Sequence, residues 1–287
     1  MGNTVLELKN VSKFFGKRKV IDNLNLEVQE GEIYGFLGPN GSGKTTTIKM
    51  ILRLLSNDSG EIKVNGYDTK KEFEKAMEFI GAIVENPDLY KYMSGIDNLR
   101  LHARIRNIDE KRIEEVLELV DLKGREKDKV GKYSLGMKQR LGLALTLLHN
   151  PKVLILDEPT NGLDPAGIKK LRDILKEISH KQGVAVFVSS HILTEMQLMC
   201  DKVAVLSNGK IVKVENITDK NIQDKEYIEK VEIRVNEVER AQAIIQEKFE
   251  LKTKIEDNNV VITLPTDRIP QIIKELAIAD VGVKAVI

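Results

Sequence analysis

Eight consecutive residues carry the clearest chemistry in this chain: Gly38-Pro39-Asn40-Gly41-Ser42-Gly43-Lys44-Thr45, a complete G-x-x-x-x-G-K-[ST] run, with Thr46 directly after it. Glycines at this spacing let successive backbone N–H groups turn inward and cradle phosphate at the positive end of a helix. Lys44 is expected to reach the β- and γ-phosphates of a nucleotide, and the Thr45 hydroxyl to serve Mg²⁺. A second run, Val153 to Leu156, is apolar throughout and ends in Asp157 and Glu158. A carboxylate at the end of a buried strand beside a phosphate loop can hold the Mg²⁺ water shell, which is the role expected of Asp157. Glu158, one residue on, is expected to orient or deprotonate an attacking water.

These groups need particular elements beneath them. The segments VLELKNVSKFF and VIDNLNLEVQEGEIYGFLG alternate apolar and polar residues and read as strands, the last running into Gly38. From Thr45, apolar residues at Ile48, Ile51, Leu52 and Leu55 follow the spacing of an amphipathic helix. The turn Asn57-Asp58-Ser59-Gly60 closes that unit, and EIKVNG returns as a strand. From about residue 86 to 142 the pattern is helical. The runs VLIL and VAVFVSS are continuously apolar, as in strands buried on both faces of a parallel sheet. Asp164-Pro165 between them is a favoured helix start. The alternation predicts an α/β fold; with the phosphate loop and the Asp157-Glu158 pair it reads as a P-loop NTPase with a helical subdomain over about 86–142, in a first domain spanning 1–215. Residues 216–287 read βαββαβ, with a turn at Glu256-Asp257-Asn258-Asn259 and a helix from Asp267 whose Ile269, Ile272, Ile273 and Leu276 share a face. That order predicts a small ferredoxin-like α+β domain.

Composition excludes other classes. The 287 residues carry 45 basic and 44 acidic side chains, a balance with no long-range field to steer a polyanion, so no nucleic acid is expected as a partner. Cys200 is the one cysteine, which excludes an internal disulfide and predicts a small packed residue in a reducing compartment. No apolar run approaches the roughly 18 residues of a membrane span, and MGNTVLELKNVSKFF lacks a secretory apolar region, so a cytoplasmic location is expected.

The phosphate loop and the Asp157-Glu158 pair alone specify a nucleotide hydrolase of unstated kind. Between them lies Tyr133-Ser134-Leu135-Gly136-Met137-Lys138-Gln139-Arg140, and here the sequence resembles the nucleotide-binding subunit of ABC transporters, whose signature reads LSGGQ. Ser134 and Gly136 are kept; Leu135 stands for a glycine and Met137 for a glutamine. Other matches fall in the family's order across residues 4 to 215. Phe15 stands where the family places an aromatic against adenine, and Asn161-Gly162-Leu163-Asp164 matches the loop joining two subunits' sites. His191, after VAVFVSS, matches the switch histidine at the γ-phosphate.

The resemblance implies ATP and Mg²⁺ as ligands, with Glu158, His191 and Lys44 catalytic. It implies nucleotide contacts from Phe15, Gly38 through Thr46, Ser134, Gly136 and Asp164, the last three toward the nucleotide of a second subunit in an ATP-dependent head-to-tail dimer. It also implies an integral-membrane permease as partner and a peripheral place on the inner face of the cell membrane. Where the family usually has Gln near Mg²⁺, this chain has Glu85, which can still ligate the ion but cannot donate a hydrogen bond. Glu85, the YSLGM signature and the EPTNGLDP run are similar to the branch of bacitracin-resistance and lantibiotic-immunity exporters. The alternative, a soluble ABC ATPase of DNA repair or translation, usually has two motif sets or a long coiled coil. This chain has one set, and about 50 residues between Glu85 and Ser134. No Asn-Lys-x-Asp guanine motif occurs. For the C-terminal domain, a scaffold and a ligand-sensing module both remain open.

Overall fold

The computed structural model describes residues 3–217, 228–249, 251, 253–256, 259–265, 269–279 and 281–286. The chain divides into two compact units, Met1–Ile217 and Thr218–Ile287. The first unit runs two residues past the expected boundary, because the Ile217 amide bonds the Asp201 carbonyl at 2.7 Å and its side chain packs on the core.

The apolar runs form the centre of a six-stranded sheet. Its order is Lys210–Asn216, Lys202–Ser207, Ile33–Leu37, Ala185–Ser190, Val153–Asp157, Ile80–Ile83. The last five are mutually parallel, and Lys210–Asn216 pairs antiparallel at the edge. Ile33–Leu37, Val153–Asp157 and Ala185–Ser190 are buried at every residue, as strands covered on both faces must be. Alternate side chains serve two cores. Val153, Ile155 and Phe187 join the core formed with the helix Lys44–Ile51 and the N-terminal strands, while Leu154, Leu156 and Val188 face the helical subdomain.

The N-terminal strands do not enter this sheet. Thr4–Phe15 and Arg18–Gln29 form a second, antiparallel sheet with Ser59–Val64 and Tyr67–Asp68, packed over one face of the first. The helix predicted from Thr45 stops at Ile51; Arg53 takes φ +57°, so Leu52 and Leu55 pack from a turn rather than from a longer helix.

The helical subdomain comprises Gly95–Ile105, Glu110–Leu119 and Leu135–Leu147, the last running beyond the expected end at residue 142. Ser94, Asp109 and Ser134 cap these three helices, each accepting a backbone N–H of the first turn. Asp164 caps Pro165–Lys176 in the same way, through the Gly167 amide at 2.9 Å. Among the described residues no helix is long and apolar enough to cross a membrane. Cys200 is buried against Met196, and burial pushes its thiol far above the ordinary range, so it packs rather than reacts.

The second unit has the order strand Ile228–Val235, helix Val238–Phe249, strands Thr253–Glu256 and Asn259–Pro265, helix Ile269–Ile278 and strand Val283–Val286. The sheet order is Thr253–Glu256, Asn259–Pro265, Ile228–Val235, Val283–Val286, every pair antiparallel. Ile272 and Leu276 are fully buried against Val231, Ile233, Val260 and Ile262. Asp257 and Asn258 of the expected turn, Asp267 at the expected helix start, and the Ile269 side chain lie outside what is described.

Candidate nucleotide site

Four neighbouring strands of the parallel sheet, running from Ile33–Leu37 to the edge strand Ile80–Ile83, end in order in the loop from Gly38, in His191, in Asp157 and Glu158, and before Glu85. Ligands of open α/β sheets bind at this carboxyl edge. The phosphate loop is shaped by close approaches that only glycine permits. A Cβ on Gly38 would lie 2.6 Å from both the Leu206 carbonyl oxygen and Ser42 Oγ. Gly43 has φ +113°, and a Cβ there would collide with Ile21 Cδ1. Gly43 caps the helix Lys44–Ile51 with no side chain, so the amides of Lys44, Thr45 and Thr46 receive no cap and remain available to an anion. Pro39, Asn40 and Gly41 form the exposed crest, and the buried Ser42 Oγ has no hydrogen-bond partner. A cradle of free amides, an orphaned hydroxyl and a lysine fits phosphate.

Lys44 is 5% exposed. Its ammonium donates to the Gly38 and Pro39 carbonyls at 2.7 and 3.3 Å and lies 3.2 Å from Glu158 Oε1. Thr45 donates to Asp157 Oδ2 at 2.9 Å, which brings a hydroxyl and a carboxylate from distant parts of the chain to one point. Two hard oxygen donors beside a phosphate cradle fit Mg²⁺, which takes few protein ligands and completes its shell with water and phosphate. Among the described residues no larger metal-binding cluster occurs.

Glu158 adopts φ +47°, a left-handed conformation that a non-glycine residue holds only when its surroundings impose it. Its Oε2 accepts from Asn161 Nδ2 at 2.7 Å and lies 2.9 Å from His191 Nδ1, while Oε1 faces Lys44. Burial works to raise the Glu158 carboxyl, but hydrogen bonds from Asn161, Lys44 and His191 outweigh it and hold the group below the ordinary carboxylate range. The carboxylate is thus ionised at neutral pH between two groups that can carry positive charge.

The remaining predicted residues lie outside this cluster. Phe15 ends its strand 51% exposed, with Lys13 Nζ 5.7 Å from its ring centroid, so it is a surface aromatic and not a core one. Glu85, at φ +66°, has a side chain 71% exposed, 3.8 Å from Lys49 Nζ. No hydrogen bond joins it to Thr45 or Asp157. Ser134 Oγ accepts the Met137 amide at 3.3 Å as a helix cap, and Gly136 faces open space apart from Leu163. Ser134, Gly136 and Asp164 together line one cleft of about 430 Å³ between the helices Leu135–Leu147 and Pro165–Lys176.

Comparison with known proteins follows the same geometry. The family model described as "ABC transporter" matches residues 21–161, from within the strand Arg18–Gln29 to just past Glu158. The uncharacterized ABC transporter ATP-binding protein YhcH of Bacillus subtilis is 49% identical over 98% of this chain and 90% of its own length. The chain belongs to the ABC transporter family. The bacitracin transport ATP-binding protein BcrA of Bacillus licheniformis is 40% identical over 87% of this chain and 81% of its own. A dimeric cassette, MJ0796, solved in a post-hydrolysis state with ADP and Pi, is 25% identical with a TM-score of 0.65, over 74% of this chain and 99% of that one. This chain is therefore an ABC ATP-binding subunit that binds and hydrolyses ATP, and its role is in transport rather than in DNA repair or translation.

Two buried side chains to which the sequence gives no role also brace the site. Ser189, fully buried, donates to Asp157 Oδ1 at 2.6 Å and accepts from the Glu158 amide at 3.0 Å. Gln139, also buried, holds the Pro159 carbonyl at 3.1 Å. The available signal for Ser189 was a polar residue ending an apolar strand; for Gln139 there was none beyond its place in the signature helix.

Proposed function

We propose that this subunit powers export of an antimicrobial peptide or related drug through a separate membrane permease, with Glu158 as the residue that directs water at the γ-phosphate. The observation that carries this reading is the Glu158 carboxylate, ionised and fixed within hydrogen-bond distance of both Lys44 and His191. When nucleotide enters, Lys44 turns from Glu158 and the loop carbonyls to the β- and γ-phosphates, which frees Glu158 Oε1 to accept a proton from water. His191 stays hydrogen-bonded near Glu158 and stabilises charge at the γ-phosphoryl group. Bound Mg²⁺, held by Thr45 and Asp157, would supply a Lewis acid for the phosphate oxygens. Phe15 offers an exposed ring for adenine to stack on.

The cleft of Ser134, Gly136 and Asp164 supports a head-to-tail dimer in which these residues meet the nucleotide of the second subunit. Docking of the permease is supported by a cavity of about 370 Å³ beside Glu85, lined by Asn86, Pro87, His102, Arg106 and His149. It lies between the edge strand Ile80–Ile83 and the helical subdomain, so motion there links the nucleotide site to an exposed face. Glu85 then acts in coupling from this position, on the inner face of the membrane. The export substrate follows from likeness to the bacitracin transport subunit. The C-terminal unit serves as a scaffold, since its buried residues form an apolar core without a catalytic cluster among those described.

The test is Glu158→Gln, purified with its co-expressed neighbouring permease. ATP binding should persist, hydrolysis should fall by at least about a hundredfold, and a nucleotide-bound dimer should accumulate. Normal turnover by this variant would remove Glu158 from its role, and failure to recover a permease would remove the partner.

A further inference from the structure

One hydrogen bond joins the two loops that carry Glu158 and His191 without touching either residue. Thr160, buried, donates its hydroxyl to Glu195 Oε2 at 2.6 Å. Thr160 follows Glu158 by two positions, and Glu195 lies on the helix Leu193–Met199 directly after His191. That helix is a firm anchor, because Met196 and Met199 are buried in the main core.

The two loops are already joined on the strand side, where Ser189 Oγ serves both Asp157 and the Glu158 amide. Beyond Glu158 the chain needs a second fixed point, since the residue stands in left-handed backbone. Asn161 cannot supply it: its amide bonds the Glu158 carboxylate itself and moves with it. Gln139 anchors the Pro159 carbonyl to the signature helix, a different element. The Thr160 to Glu195 bond ties this turn to the helix behind His191. A hydroxyl donating to a carboxylate at this length is a charge-assisted bond, strong enough to set a position.

We propose that Glu195 is a positioning residue for ATP hydrolysis: through Thr160 it fixes the Glu158 carboxylate relative to His191. The inference rests on the roles given above to Glu158 and His191. It concerns geometry at the reacting end and not the cradle, so it affects turnover and leaves ATP affinity alone.

The test is steady-state ATP hydrolysis by the purified full-length chain. Glu195→Ala and Thr160→Val should each lower kcat by about tenfold with KM for ATP changed less than about twofold. The double variant should lose no more than either single one, as two ends of one bond must. Glu195→Gln, whose Oε1 still accepts a hydrogen bond, should recover most of the rate. If Thr160→Val does not fold, the half-buried Glu195 pair of variants decides the question by itself. A kcat for Glu195→Ala within about twofold of the parent, a KM that rises in step with the loss, or Glu195→Gln as slow as Glu195→Ala would each overturn the proposal. Glu158→Gln, assayed alongside, separates the two readings. If it is slow while Glu195→Ala is not, only the positioning role falls; if it turns over normally, both fall.

Discussion

Ser189→Ala removes one hydroxyl that serves two groups, the buried Asp157 carboxylate and the half-buried Glu158 amide. Its Oγ donates to Asp157 Oδ1 at 2.6 Å and accepts from the Glu158 amide at 3.0 Å, at a position with no solvent exposure. Asp157 is itself buried and would keep only the Thr45 hydroxyl, on its other oxygen at 2.9 Å. A hydrogen bond to a charged acceptor contributes about 1.5–3 kcal/mol, and an orphaned buried donor costs about 1–3 kcal/mol. The two losses share an atom and do not simply add, so the expected destabilisation is about 2–4 kcal/mol. For a unit of this size each kcal/mol moves the thermal midpoint by about 2–4 °C, which gives a fall of about 5–15 °C. The chain has no tryptophan, so far-ultraviolet circular dichroism is the suitable probe, read without nucleotide. A midpoint lowered by less than about 2 °C would refute the reasoning, since it would mean that water or a neighbour replaces both bonds at no cost.

Gly43→Ala should abolish measurable binding of a fluorescent ATP analogue, because a Cβ at φ +113° strikes Ile21, and should destabilise the cassette by about 1–3 kcal/mol; unchanged binding would mean that the loop re-forms around the methyl group. The stability difference between the parent chain and Glu158→Gln should depend on pH in one direction only. Because the folded carboxyl lies below its ordinary value of 4.5, its contribution is present above that value and is lost as pH falls through the depressed range. Thermal midpoints of the two proteins should therefore differ by a constant amount near neutrality and converge in acid, and a difference that grows on acidification would reverse the assigned sign.

Much of the site was legible because its parts are local. The phosphate loop is one unbroken run, and its glycines announce their backbone demands. Asp157 and Glu158 were visible because an uninterrupted apolar strand ends in two acids in a chain that also carries a phosphate loop, and Asp164 and Ser134 because a helix cap is decided within three residues. The C-terminal βαββαβ order was readable for the same reason. Less legible was where each predicted strand would pair. Thr4–Phe15 and Val153–Asp157 both read as strands, yet one lies in an antiparallel sheet and the other in the parallel one.

The sequence by itself determined which groups could bind phosphate and in which element each would sit, since glycine torsions, apolar periodicity and cap chemistry act over a few residues. Tertiary structure alone decided that Thr45 meets Asp157 across 112 residues, that Ser189 supports both acids, and that Thr160 reaches Glu195. It also held Glu158 in left-handed backbone, which its own residue type disfavours. The reason is physical: a hydrogen bond between distant segments leaves no periodicity in either one, and it exists only where strand order brings their ends together.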